Sequence, residues 1–109
     1  MKLARIVLFT NQIDEMSKFY GETLGLRRIS SEKGWREFAT GGANIALHAG
    51  PPSPGHKGPK LVFYATDVTE LRRTLVERGA RFGKVREGDT FSLCDGKDPD
   101  GNPIQLSNR

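Results

Sequence analysis

Residues 50–59 read GPPSPGHKGP, with three glycines and four prolines in ten positions. Neither a helix nor a strand ladder runs through such a segment, because proline removes a backbone donor and fixes φ. The chain is therefore cut into a stretch before residue 50 and a stretch after residue 59, and each must form its own elements. Both present the same order of periodicities. In the first, Leu3–Phe9 (LARIVLF) is an apolar, β-branched run of strand length. Apolar residues then fall at Ile13, Met16, Phe19, Tyr20 and Leu24, one face of a helix that Gly25 stops as a C′ residue. Three short strands are predicted over Leu26–Ser31, Gly34–Thr40 and Ala43–His48, with turns at Glu32-Lys33-Gly34 and Gly41-Gly42.

After the break the series restarts. Lys60–Ala65 (KLVFYA) reads as a strand, and Asp67 with Glu70 three residues on reads as a capped helix start. Val68, Leu71 and Leu75 form its apolar stripe, which ends at Gly79. Strands are predicted at Arg81–Val85, Thr90–Asp95 and Pro103–Leu106, separated by Glu87-Gly88-Asp89 and by the turn-forming DGKDPDGNP. Two β-α-β-β-β units, with almost no sequence identity between them, account for the whole chain. The fold class is α+β, in one domain spanning 1–109: module one at about 1–49, a linker at 50–59 and module two at 60–109.

At 109 residues the chain has the size of one domain. Its 36% hydrophobic and 28% charged residues are too apolar for a disordered tail, and no apolar run approaches the roughly 18 residues of a membrane span. Arg5 interrupts the first apolar stretch and no small-residue cleavage site follows, so the expectation is a cytoplasmic, globular protein without a signal peptide. The single cysteine, Cys94, forms no intramolecular disulfide and no multi-thiolate zinc site. Nothing beside it indicates a lowered pKa, so it reads as an inert thiol. The net charge of +4 raises a nucleic-acid role. The pairs Arg27-Arg28 and Arg72-Arg73 stand beside acids such as Glu22 and Glu70, not in a single-sign block, so no nucleic-acid partner is expected. There is no phosphate-cradling GxxxxGK loop and no oxidoreductase cofactor motif, and no cofactor is expected.

The residues FYGETLGL (19–26), the Gly41-Gly42 turn before a strand and the terminal DPDGNPIQL (98–106) together resemble the vicinal-oxygen-chelate superfamily. That group includes glyoxalase I, extradiol dioxygenases, fosfomycin-resistance enzymes and bleomycin-resistance binding proteins, and the resemblance covers essentially the full chain. It implies paired modules curled into a U-shaped mixed sheet with helices on the outer face and the ligand or metal on the concave face. Phe19 and Tyr20 themselves read as packing residues of the first helix, and DPDGN as a turn with Gly101 at positive φ.

Metalloenzymes of this superfamily carry four ligands, usually His, Gln or Glu: one each in the first strand, the fourth strand, the strand opening module two and the last strand. Laid over this chain, those positions fall on Arg5, on Ala46 with His48 next on the same face, on Lys60 and on Gln105. Guanidinium and ammonium groups offer no lone pair, so Arg5 and Lys60 cannot ligate, and no metal is expected. The other histidine, His56, sits in the Pro/Gly loop and reads as solvated. Arg5, His48, Lys60 and Gln105 instead suit an anionic ligand held by charge-assisted bonds. The plainer alternative has Lys60 reaching water along its stem and Arg5 pairing with an acid such as Glu37. Trp35, Phe38, Phe63, Tyr64 and Phe91 are candidates for apolar walls, and Arg5, inside a strand, is expected to be the less solvated of the two cations. The leading expectation is metal-free small-molecule binding, in the manner of bleomycin-resistance proteins, by a homodimer with no membrane partner. The alternatives are a diverged lyase, isomerase or dioxygenase-like enzyme using His48 as acid or base, and a scaffold without a ligand.

Overall fold

A computed structural model of the chain describes residues 1–53 and 59–109; the histidine of the Pro/Gly loop, His56, lies outside them. The chain divides into two compact units, residues 1–53 and 54–109. Each has the order strand, helix, strand, strand, strand, with a four-stranded mixed sheet.

In the first unit β1 (Arg5–Thr10) leads into α1 (Ile13–Lys18), followed by β2 (Arg27–Glu32), β3 (Trp35–Ala39) and β4 (Asn44–Ala49). The sheet order is β1-β4-β3-β2, with β1 parallel to β4 and the other pairs antiparallel. Alternation along the strands sends Phe38, Ile45 and Leu47 to one face, where they pack with Met16, Phe19 and Tyr20. The helix departs from the regular α-helix that the spacing predicts. After Lys18 it widens into a π-helical turn over Phe19–Thr23, in which the Leu24 amide reaches the Phe19 carbonyl. The wider turn brings the adjacent Phe19 and Tyr20 into the core together, their rings edge to face at 5.2 Å. Gly25, at φ 78°, ends the segment as predicted.

The second unit holds β5 (Leu61–Tyr64), α2 (Val68–Glu77), β6 (Arg86–Glu87), β7 (Ser92–Lys97) and β8 (Pro103–Ser107), in the sheet order β5-β8-β7-β6. Asp67 caps α2 by accepting a hydrogen bond from the Glu70 amide at 3.0 Å, and Gly79, at φ 98°, follows the helix end. The predicted strand over Arg81–Val85 does not form. Phe82 makes one isolated bridge to Gly96, and the ladder resumes only at the two-residue β6. The cause is the core: an added Cβ on Gly96 would lie 2.7 Å from Phe82 Cδ1, so the Phe82 ring occupies the space above that glycine. No helix among the described residues is long and apolar enough to cross a membrane.

Candidate functional site

Each sheet has one face under its helix and one face free of it. In the first unit, alternation places Arg5, Val7 and Phe9 of β1 on the helix-free face. Register sets them in rows across the sheet: Val7–Ala46–Glu37 in the middle and Phe9–His48–Trp35 two residues further on. In the second unit the matching rows are Val62–Gln105–Asp95 and Tyr64–Ser107–Leu93. Arg5 and Lys60 each stand two residues before the central valine. The repeat is visible in the chain as Arg-Ile-Val-Leu-Phe (5–9) against Lys-Leu-Val-Phe-Tyr (60–64).

Each cation is held by the carboxylate of its own central row. Arg5 donates from Nε to Glu37 Oε2 at 3.2 Å, and Asn44 donates to the same oxygen at 2.8 Å. Asn44, ahead of Arg5 and with help from Trp35, holds the buried Glu37 carboxyl below its ordinary range, although burial itself pushes the other way. Neither Nη of Arg5 has a partner among the described residues, so its forked end is available while Nε fixes its position. In the second unit Asp95 receives Lys60 Nζ at 3.0 Å, Gln105 Nε2 at 2.8 Å and Arg86 Nη2 at 2.6 Å. Partial burial raises the Asp95 carboxyl, but Gln105, Lys60 and Arg86 together bring it net below its usual value. Two cations therefore share one carboxylate, which leaves an excess positive charge.

The four predicted site residues thus fall in two groups: Lys60 and Gln105 meet on Asp95, while Arg5 and His48 belong to the other unit. Of the plainer expectation, the pairing of Arg5 with Glu37 is realised, whereas Lys60 ends on Asp95 and not in water alone. The expected difference in solvent access is not realised. The Arg5 side chain is 46% exposed and that of Lys60 42%, because β1 begins at Arg5, which therefore stands at a strand start among exposed residues and not inside the strand. His48 places Nδ1 2.8 Å from the Ala49 carbonyl oxygen. A carbonyl only accepts, so Nδ1 is the donor, and Nε2 has no hydrogen-bond partner among the described residues. Of the predicted apolar walls, Trp35 and Tyr64 lie on the helix-free faces. Phe38 is core, Phe63 points toward α2, and Phe91 lies under the Arg109 guanidinium, 4.5 Å from its ring centroid. Cys94 is buried and its thiol is pushed up by burial, in keeping with an inert thiol. Sequence reasoning passed over Asp95, Asn44 and Arg86; the likeness of residues 5–9 to 60–64 was the signal that pairs Asp95 with Glu37.

These side chains do not fit a divalent metal. Arg5 and Lys60 have no free lone pair and Ala46 has no donor atom, which leaves the Gln105 carbonyl oxygen, its amide nitrogen bonded to Asp95, as a lone ligand in the second unit. Among the described residues no three His, Cys, Asp or Glu side chains come together in a group that could hold a metal ion.

The model of the Glyoxalase/Bleomycin resistance protein/Dioxygenase superfamily matches residues 2–106, and the chain belongs to that superfamily. Among solved structures it resembles that of SMU.1112c, with a TM-score of 0.86 at 22% identity over 98% of each chain. It also resembles a glyoxalase/bleomycin resistance protein/dioxygenase family enzyme from Burkholderia phytofirmans PsJN, at 0.81 and 20% over 98% of each chain. Lactoylglutathione lyase from Agrobacterium tumefaciens follows at 0.76 and 19%, over 95% of this chain and 90% of that one. At these identities the likeness establishes the fold. No curated protein matches at the level of a relative.

Proposed function

We propose that this chain binds a small anionic molecule and needs no metal to do so. The observation that carries the reading is the anchored cation of each unit: where superfamily metalloenzymes place metal ligands in the first strand of each module, this chain has Arg5 and Lys60, each fixed by a carboxylate. In the first unit the anchor leaves both Nη groups of Arg5 for a ligand; in the second, Lys60 and Arg86 outnumber Asp95. A charge-assisted bond to a partly desolvated guanidinium is worth on the order of 1.5–3 kcal/mol. The test is metal analysis of protein purified without chelator, beside thermal-shift measurements with carboxylates, phosphates, zinc, nickel and manganese. A ligand of the native state raises apparent stability by mass action. Stabilisation by anions alone is the expected result; near one equivalent of bound metal, or stabilisation by divalent metals only, overturns the reading.

A second reading, a diverged lyase or isomerase, is favoured by one observation: the Ala49 carbonyl engages Nδ1 of His48 and leaves Nε2 without a hydrogen-bond partner among the described residues. It predicts a turnover abolished by His48→Gln with binding retained. The proposal extends to a symmetric homodimer, which light scattering tests by a mass twice the 12.1 kDa of the chain.

A further inference from the structure

We infer that the helix-free face of the first unit takes an anion that also carries a flat aromatic ring, with the acid on Arg5 and the ring on the row Phe9–His48–Trp35. The inference rests on the anion-binding reading and names the class of ligand. Three observations support it. First, the three rings are neighbours on adjacent strands: Phe9 and His48 centroids are 5.3 Å apart, and Trp35 meets His48 edge to face at 5.8 Å. Second, the row is presented to solvent and held in place. Phe9 is 51% exposed and His48 is exposed. An added Cβ on Gly50 would stand 3.1 Å from Phe9 Cδ1, so the Phe9 ring rests against the backbone at Gly50 while its ring contact is with His48. An exposed aromatic fixed in one orientation stacks with a flat ligand at little entropic cost. Third, the spacing is set by the sheet. The Arg5 guanidinium reaches Glu37, in the central row, and the ring row is two residues further along, about 6–7 Å. Ala46, the small residue of the central row, adds only a methyl between them and is fully covered by its neighbours, so the linker of such a ligand runs over that covered row. A two-carbon linker between carboxylate and ring spans that interval. The second unit has the cation but not the row: Tyr64 stands beside Ser107 and Leu93, so the preference for a ring belongs to the first unit.

The test is calorimetric titration of the full chain with 3-phenylpropionate, propionate and 3-phenylpropanamide. The acid with the ring is expected to bind about tenfold tighter than propionate, and the amide to bind weakest. Phe9→Ala brings 3-phenylpropionate to the level of propionate and leaves propionate unchanged, whereas Arg5→Gln weakens both acids. Should Phe9→Ala fail to fold, Gly50→Ala, which displaces the ring without removing it, gives a smaller loss of the same sign. Equal affinity for the two acids, both lost in Arg5→Gln, overturns this inference and leaves the anion reading standing. Binding of the amide as tight as the acid, or indifference to Arg5→Gln, overturns both. So does the absence of any binding, and a change of mass by light scattering in Phe9→Ala then identifies a second copy of the chain as the occupant of the face.

Discussion

The two units share one layout and fill it with different chemistry. On the helix-free face the layout is cation, valine and aromatic along the first strand, with a carboxylate opposite the valine row: Arg5, Val7, Phe9 and Glu37 in one, Lys60, Val62, Tyr64 and Asp95 in the other. On the helix side they part company. The residue after each carboxylate is Phe38 in the first unit and Gly96 in the second. Phe38 supplies its own core ring; Gly96 is bare, and Phe82 reaches over from the segment after α2 to supply the missing one. The polar clusters differ in burial as well. Glu37 is 9% exposed at its side chain and Asp95 39%, so one ion pair is shielded and the other is washed by solvent. A repeated topology conserves the geometry of rows while leaving each unit free to decide which strand supplies the ring and how wet its carboxylate is.

The sharpest test of that contrast is in the cores. Phe38→Ala removes a ring from its own strand and leaves a cavity, with an expected loss of roughly 3–5 kcal/mol in chemical denaturation. Gly96→Ala attacks the equivalent position from the other side. Its Cβ would meet the Arg81 carbonyl oxygen at 2.6 Å and the Phe82 ring at 2.7 Å, so Phe82 must leave, for about 1–3 kcal/mol or somewhat more. A neutral Gly96→Ala would break the claim that Phe82 stands in for Phe38.

Next come the carboxylates. Glu37→Gln should cost about 1–3 kcal/mol near neutral pH, because it weakens a largely buried bond network with Asn44 and Arg5. The folded-state pKa of Glu37 is lowered from 4.5, so the stabilisation is full above that value and is lost as pH falls through the folded one. Denaturation of wild type and Glu37→Gln from pH 7 to pH 3 should therefore converge in acid; a constant gap sinks the idea. Asp95 carries a shift of the same sign but is more open to water, so Asp95→Asn should lose less, and its loss should shrink with added salt. The smallest effect is expected for Lys60→Ala. Arg86 still holds Asp95, and stability should change by under about 1 kcal/mol while anion binding becomes less sensitive to salt.

Much of this was legible beforehand because it is local. The Pro/Gly segment, the cap at Asp67, the stops at Gly25 and Gly79 and the strand run at residues 5–9 each act through neighbours in the chain, and the order of elements follows from them. The pairing of Arg5 with Glu37 was also within reach, since a long cation and an acid on the same face of one sheet seek each other, here across β4. The π-helical turn was not: a spacing pattern assumes 3.6 residues per turn, and only the demand of Phe19 and Tyr20 for the same core widens it. Nor was the loss of the strand at Arg81–Val85, where the residues are compatible with a ladder but Phe82 is drawn over a glycine that lies 14 positions later.

The sequence by itself determined the α+β class, the two-unit order and the presence of cations at the first-strand positions, because hydrophobic period, turn chemistry and the absence of lone pairs on Arg5 and Lys60 are properties of single residues and their near neighbours. Only the tertiary structure decided that Asp95 gathers Lys60, Arg86 and Gln105, that Arg5 is anchored with its fork free, and that Phe9, His48 and Trp35 form one row. Those facts depend on strand register across residues tens of positions apart. Register is fixed by burying the opposite faces under α1 and α2, since a slip of one residue would turn every side chain in these rows to the other side.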